Sequence, residues 1–140
     1  MSDYLPQALR RLVFERAGGR CEYCLVHSQD AIIPHQIDHI IAIKHHGRTV
    51  AENLALACIE CNLFKGTDLT TMNWQIGEIV PLFHPRQQRW TDHFTLQGAR
   101  LIGLTNTGIA TISLLQLNRE DRLEFRELLL DAGLYPPALV

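Results

Sequence analysis

The feature that most constrains this chain is a pair of matched cysteine knuckles, Cys21-Glu22-Tyr23-Cys24 and Cys58-Ile59-Glu60-Cys61, with 33 residues between them. They hold all four cysteines of the sequence. Two thiolates from each tight knuckle complete the tetrahedral four-sulfur shell that zinc takes in structural sites. With every position filled by sulfur, none is left for water or substrate, so such an ion staples the chain and does not react. It draws Cys21 and Cys58 together across a loop whose own apolar content is modest. Buried small hydrophobes, or a pair of redox dithiols, are the competing readings. Two matched pairs are harder to explain in those terms than one. A zinc deaminase is disfavoured because its C-x-x-C is preceded by H-x-E, and no histidine here has Glu two residues later.

A chain of 140 residues with 46% hydrophobic and 20% charged residues suits one packed domain spanning 1–140. No window approaches the roughly 18 apolar residues of a membrane span, and MSDYLPQALRRL lacks the apolar run of a secretory signal. The expectation is a cytoplasmic protein with reduced thiols and no membrane partner.

Leu5, Leu9, Leu12 and Val13 fall on one helical face, with Asp3 as a candidate cap and Gly18-Gly19 as the stop. We expect two short strands within 34–44 and a short helix from about Ile59 to Lys65. A hairpin about Ile76-Gly77, ended by Pro81 and Pro85, and a second strand pair about Gln97-Gly98 follow. Helices are expected at about 107–117 and 119–133, the last capped by Asn118 and burying Phe125, Leu128, Leu129 and Ala132. Tryptophans 74 and 90 are expected in the core.

Inside the loop between the knuckles stands Ile37-Asp38-His39-Ile40-Ile41, followed by Asn53-Leu54 and Asn62. Neighbours on a strand point to opposite faces, so Asp38 and His39 share a site only where the strand leaves its ladder. A histidine takes a proton from water near neutral pH. The oxygens of Asp38 and Asn62 suit a hard cation such as Mg²⁺, which keeps several of its waters. One such ion, one base and one water are the parts needed to hydrolyse a phosphodiester.

At these residues the sequence resembles the HNH endonuclease family. The matching text is Cys21-x-x-Cys24, Ile37-Asp38-His39-Ile40-Ile41, Gly47, Asn53-Leu54 and Cys58-x-x-Cys61-Asn62-x-x-Lys65-Gly66, over residues 20–66. The tail, with Phe83-His84-Pro85-Arg86 and Gly103-Leu104-Thr105, looks like that of small bacterial HNH proteins. The resemblance implies an α+β fold: a zinc-braced ββα-metal core at 20–66 with an N-terminal helix, and a hairpin, strand and helix extension at 67–140 packed on it. It also implies DNA as substrate, zinc as a structural ion and Mg²⁺ or Mn²⁺ as the catalytic one. His39 would be the general base, Asp38 and Asn62 the ligands of the catalytic ion, and Asn53 the brace of the loop that carries the histidine. Lys65 would face phosphate. From charge alone, the local positive patches Lys44, Arg48 and Lys65, or Arg86, Arg89 and Arg100, are candidate phosphate contacts.

The formal charge of −2 argues for no diffuse attraction to nucleic acid. Its location matters more than its size. Residues 1–67 carry seven bases and seven acids, whereas 119–140 carry three bases and five acids. The rival expectation is a catalytically silent, zinc-stabilised DNA-binding or interaction module that keeps the motif as scaffold.

Overall fold

In the computed structural model, which describes residues 5–139, α1 (Gln7–Arg16) turns Leu5, Leu9 and Val13 toward Leu54 and Leu56. The stripe centres on Leu9, so at 100° per residue Leu12 falls to its flank and stays exposed. Pro6 stands at the helix start, where its missing N–H costs nothing; the expected cap Asp3 lies outside the described residues. The helix stops as Gly18 and Gly19 enter the left-handed region. Arg16 then ties the helix to the next layer by donating to the carbonyls of Ala51 and Leu54, at 3.0 and 2.7 Å.

Strand β1 (Gln36–His39) pairs antiparallel with β2 (Leu54–Ala57), Asp38 opposite Ala55 and His39 opposite Leu54. The second strand thus lies ten residues past the expected 34–44 window. Residues 43–45 form a single 3-10 turn, because the backbone after β1 is folded back on itself by Asn53. Leu-Ala-Leu-Ala of β2 is buried along its whole length, between α1 and the first knuckle. Helix α2 (Ile59–Lys65) follows at once and starts on Cys58, whose sulfur accepts the Cys61 N–H.

Two hairpins come next, β3 (Thr70–Asn73) with β4 (Glu78–Pro81) and β5 (Phe94–Gln97) with β6 (Arg100–Gly103). The one-turn helix α3 (Trp90–His93) stands between them. Helix α4 (Asn106–Leu114) is capped by the Thr105 hydroxyl, and α5 (Glu120–Asp131) completes the order. The three sheets are separate two-stranded ribbons, so the fold is α+β.

The largest buried cluster joins the four cysteines and Tyr23 to Phe83, Phe94, Leu101, Leu115, Leu117, Leu129 and Tyr135. Residues on both sides of position 67 therefore share one core. Trp90 belongs to it, with its indole N–H on the Tyr23 carbonyl at 2.9 Å, but Trp74 sits on the β3–β4 hairpin and is 79% exposed.

The face of α5 differs from expectation. Phe125 and Leu128 point outward, and the buried residues are Arg122, Arg126 and Leu129. The inward arginines answer buried acceptors that leucine could not: Arg126 donates to the Ala99 carbonyl at 2.9 Å and Arg122 to the Leu115 carbonyl at 2.7 Å. Asn118 does not cap α5 either. Its amide brackets Leu101, accepting from the N–H and donating to the C=O, and Arg119 takes the cap position without a side-chain bond.

Candidate functional site

The knuckles converge as their spacing predicts. The four cysteine sulfurs lie within 4.8 Å of one another, all buried and none in a disulfide. Cys24 and Cys58 Sγ are 3.8 Å apart, and a tetrahedral ion with bonds of about 2.3 Å spaces its sulfurs by about 3.8 Å. The Cys24 and Cys61 amides donate to Cys21 and Cys58 Sγ, both at 3.4 Å, a donor pattern that favours thiolate. Burial holds the Cys21 and Cys61 thiols well above their ordinary range, while bonding from Cys21 and its neighbours pulls Cys24 well below it. Four thiols so enclosed ionise together only around a cation. The donor set therefore fits a structural zinc.

A fifth side chain completes the cluster. Arg122 Nη2 lies 3.1 Å from Cys61 Sγ and 3.6 Å from Cys58 Sγ. Burial works to lower its guanidinium pKa, but the charges of Cys61, Cys24 and Cys58 outweigh this and raise it, so Arg122 stays cationic. The only sequence signal for it was the spacing of Arg122 and Arg126 at i and i+4, which helical patterning assigns to solvent.

Both knuckles are sewn to the strand pair. Glu22 makes two bonds to the Leu56 backbone, its N–H donating to the Leu56 carbonyl at 2.8 Å and its side-chain carboxylate accepting the Leu56 N–H at 2.9 Å. Arg86 pairs with that same carboxylate, which engages one of the arginines read from sequence as a phosphate contact. Tyr23 reaches Asp38 Oδ2 with its hydroxyl at 3.4 Å. The second knuckle begins α2, which carries Asn62 and Lys65.

Strand alternation sends Asp38 inward and His39 toward the surface, and both remain within the ladder. They still line one cleft of about 480 Å³, together with Ile43, Lys44, Asn62 and Gly66. Asp38 is buried between Tyr23 and Lys65, whose ammonium is 3.1 Å from Oδ2. Burial raises its carboxyl above the ordinary range, and Lys65 and Tyr23 only partly reverse this.

Lys65 corrects an expectation. It does not face phosphate: it is 2% exposed, and it donates to the Ile40 carbonyl at 3.1 Å besides pairing with Asp38. The motif lysine closes the end of β1. A lysine three residues after Asn62 on a seven-residue helix falls on the same side as Asn62 or beneath it, and sequence alone does not separate the two.

His39 Nε2 is 2.9 Å from Thr49 Oγ1, a partner sequence reading missed. Asn53 is buried, and its amide makes three bonds of 2.9 Å: it accepts from Ile41 N–H and donates to the carbonyls of Ile41 and Arg48. These bonds fold the 41–49 segment across the end of β1 and set Thr49 beside His39. Gly47 is required in that fold, since a Cβ there would stand 1.7 Å from the Ile41 carbonyl oxygen. Asn62 donates from Nδ2 to Gln36 Oε1 at 2.7 Å, and its Oδ1 makes no hydrogen bond among the described residues. Lys44 lines the cleft, whereas the Arg48 side chain does not.

Asp38 and Asn62 bring one carboxylate and one amide oxygen donor to the same cleft, a donor set that fits a hard divalent cation. No described helix is long and apolar enough to cross a membrane. No curated protein and no solved structure matches the chain. Residues 21–68, about a third of its length, running from the first cysteine of the cluster to the turn after α2, match the family model described as HNH endonuclease.

Proposed function

We propose that the cleft between β1, the 41–49 segment and α2 is the hydrolytic site of a divalent-metal-dependent endonuclease that cuts DNA phosphodiester bonds. The family match supports a nuclease or DNA-interacting role for residues 21–68. One observation carries the finer reading: Asp38, His39 and Asn62, drawn from two elements, line a single cleft.

His39 is the base in this reading. In the tautomer whose Nε2 proton Thr49 Oγ1 accepts, Nδ1 keeps its lone pair and takes a proton from a water aligned on the phosphorus. Asn53 holds the Thr49 segment in register and so positions the imidazole. Asp38 and Asn62 would hold Mg²⁺ or Mn²⁺, which would supply charge stabilisation to the phosphate and the leaving 3′ oxygen. Lys65 fixes the Asp38 carboxylate from behind. A zinc in the cysteine cluster would take no part in the chemistry and would tie the first knuckle, bonded to β2, to the second, which begins α2.

The deciding measurement is plasmid nicking by zinc-replete protein in Mg²⁺ and in Mn²⁺. Wild type should nick, and His39→Ala should lose at least about 100-fold while keeping zinc content and circular dichroism. Equal nicking by the two proteins removes His39 as the base. The engagement of Asp38 by Lys65 and Tyr23 favours a second reading, a silent DNA-binding module, which requires DNA binding without cleavage under either divalent ion.

A further inference from the structure

A second and larger cleft of about 750 Å³ opens beside the first, between α1 and β1. The two share Ile37, His39, Ile43 and Asn62, so they meet where the proposed chemistry takes place. One wall of the larger cleft is α1, whose Gln7, Arg10, Arg11 and Phe14 follow one another at i, i+3, i+4 and i+7. His35 and Gln36 form the facing wall, and Glu15 is its one acidic group.

Arg10 and Arg11 make no ion pair and no side-chain hydrogen bond among the described residues. Arg16, Arg86 and Lys65 are engaged elsewhere: Arg16 on the Ala51 and Leu54 carbonyls, Arg86 on Glu22 and Lys65 on Asp38. The helix that carries the pair is fixed by Val13 in the Leu54–Leu56 cluster and by Arg16, so both side chains reach along the cleft from a fixed backbone. Across the shared residues, Lys44 lines the far cleft. Positive charge thus flanks His39 and Asn62 on both sides, in a chain whose net charge is −2.

We propose that α1 is the wall that grips the DNA strand on one side of the scissile bond, with Arg10 and Arg11 contacting its phosphates. The inference rests on the nuclease reading for which phosphate is cut, but not for binding itself. A polynucleotide backbone is the ligand this geometry suits: evenly spaced anions running from Arg10 and Arg11, past His39, to Lys44. Guanidinium forks favour bidentate phosphate contact.

The test is equilibrium binding of fluorescein-labelled DNA by anisotropy, across a salt series, without added Mg²⁺ or Mn²⁺. Arg10→Ala/Arg11→Ala should weaken binding about 10-fold or more near 0.1 M salt and reduce the log–log salt slope by about 1.8, two contacts at about 0.9 each. Arg10→Lys/Arg11→Lys should restore most of the slope. Arg100→Ala removes the same charge from the β5–β6 hairpin, which lines neither cleft, and should leave the slope alone. If the double alanine protein loses zinc, Arg10→Gln and Arg11→Gln singly should each lower the slope by about 0.9. Unchanged affinity and slope in zinc-replete variants overturn the proposal. Wild type that cuts DNA while the variants bind as well as it does removes the α1 wall and leaves the nuclease reading. Wild type that binds through Arg10 and Arg11 yet cuts nothing removes the nuclease reading and leaves the wall.

Discussion

Arg122 Nη2 lies 3.1 Å from Cys61 Sγ, so a guanidinium from the last helix is part of the four-cysteine cluster. Four thiolates and one zinc carry a net charge of −2 by −4 + 2, and a buried cation offsets half of it. The acidic helix of the sequence thus contributes its buried positive charge where the fold is most negative.

Removing that contact should loosen the metal. Arg122→Leu is expected to lower zinc affinity by about 10- to 100-fold, the usual range for a group that bonds to metal ligands. Competition with a chromophoric zinc chelator reads it directly. Unchanged zinc retention would mean that Arg122 serves only its other partners, the Leu115 and Gln116 carbonyls and Glu60.

Zinc and the catalytic ion should separate cleanly by experiment. Stripping zinc with a chelator should melt the pairing of the knuckles with β2 and α2, seen as a fall in Tm and in helical circular dichroism. Nicking should then return on adding zinc together with Mg²⁺ and not with Mg²⁺ alone. Recovery with Mg²⁺ alone contradicts a purely structural role for the cluster.

Lys65→Met leaves Asp38 buried beside Tyr23 without its cation and should cost about 3–5 kcal/mol in denaturant unfolding. Asp38→Asn/Lys65→Met should recover much of that. The pH dependence has a definite sign. The Asp38 carboxyl is raised in the folded chain by burial, against the opposing pull of Lys65, so the folded state keeps its proton to higher pH than the unfolded state. Its contribution to stability is full below the unfolded value and is lost as pH rises through the raised one. In wild type this slope should be present at mildly acidic pH, and Asp38→Asn should flatten it.

Asn53→Ala removes three hydrogen bonds and leaves the carbonyls of Ile41 and Arg48 without their donor. We expect a loss of about 2–4 kcal/mol and a fall in nicking that exceeds the loss of folded protein, because the Thr49–His39 contact is displaced with the segment. Thr49→Val should reproduce the second effect without the first, and Thr49→Ser should restore it. Equal nicking by Thr49→Val and wild type removes Thr49 from the positioning of His39.

What the sequence conveyed well was spacing. The cysteine pairs, Ile59–Lys65 and both hairpins are local patterns, and each folds within a few residues of where it was expected. What it did not convey was direction. The aliphatic pattern of α5 pointed to Phe125 and Leu128, but the acceptors that draw Arg122 and Arg126 inward lie outside the helix: the Leu115 carbonyl just before it, and the Cys61 sulfur and Ala99 carbonyl far along the chain. Lys65 is the same case in the site, with its length taken up by Asp38 and the end of β1. Thr49 carried no signal at all, since its partner is set by how Asn53 folds the preceding residues. The second strand was misplaced because an alternating run at 34–44 reads as strand until Gly47 and Asn53 turn it.

The order of synthesis gives the Arg122 contact one more consequence. All four cysteines are in the chain once residue 61 has been added, while the guanidinium that bonds to Cys61 follows 61 residues later. The growing chain therefore carries its four thiols before their Arg122 partner is made. Tyr23, which packs with the cysteines and reaches Asp38 with its hydroxyl, ties the His39 cleft to the same cluster, so the segment made last and the proposed site share one set of contacts.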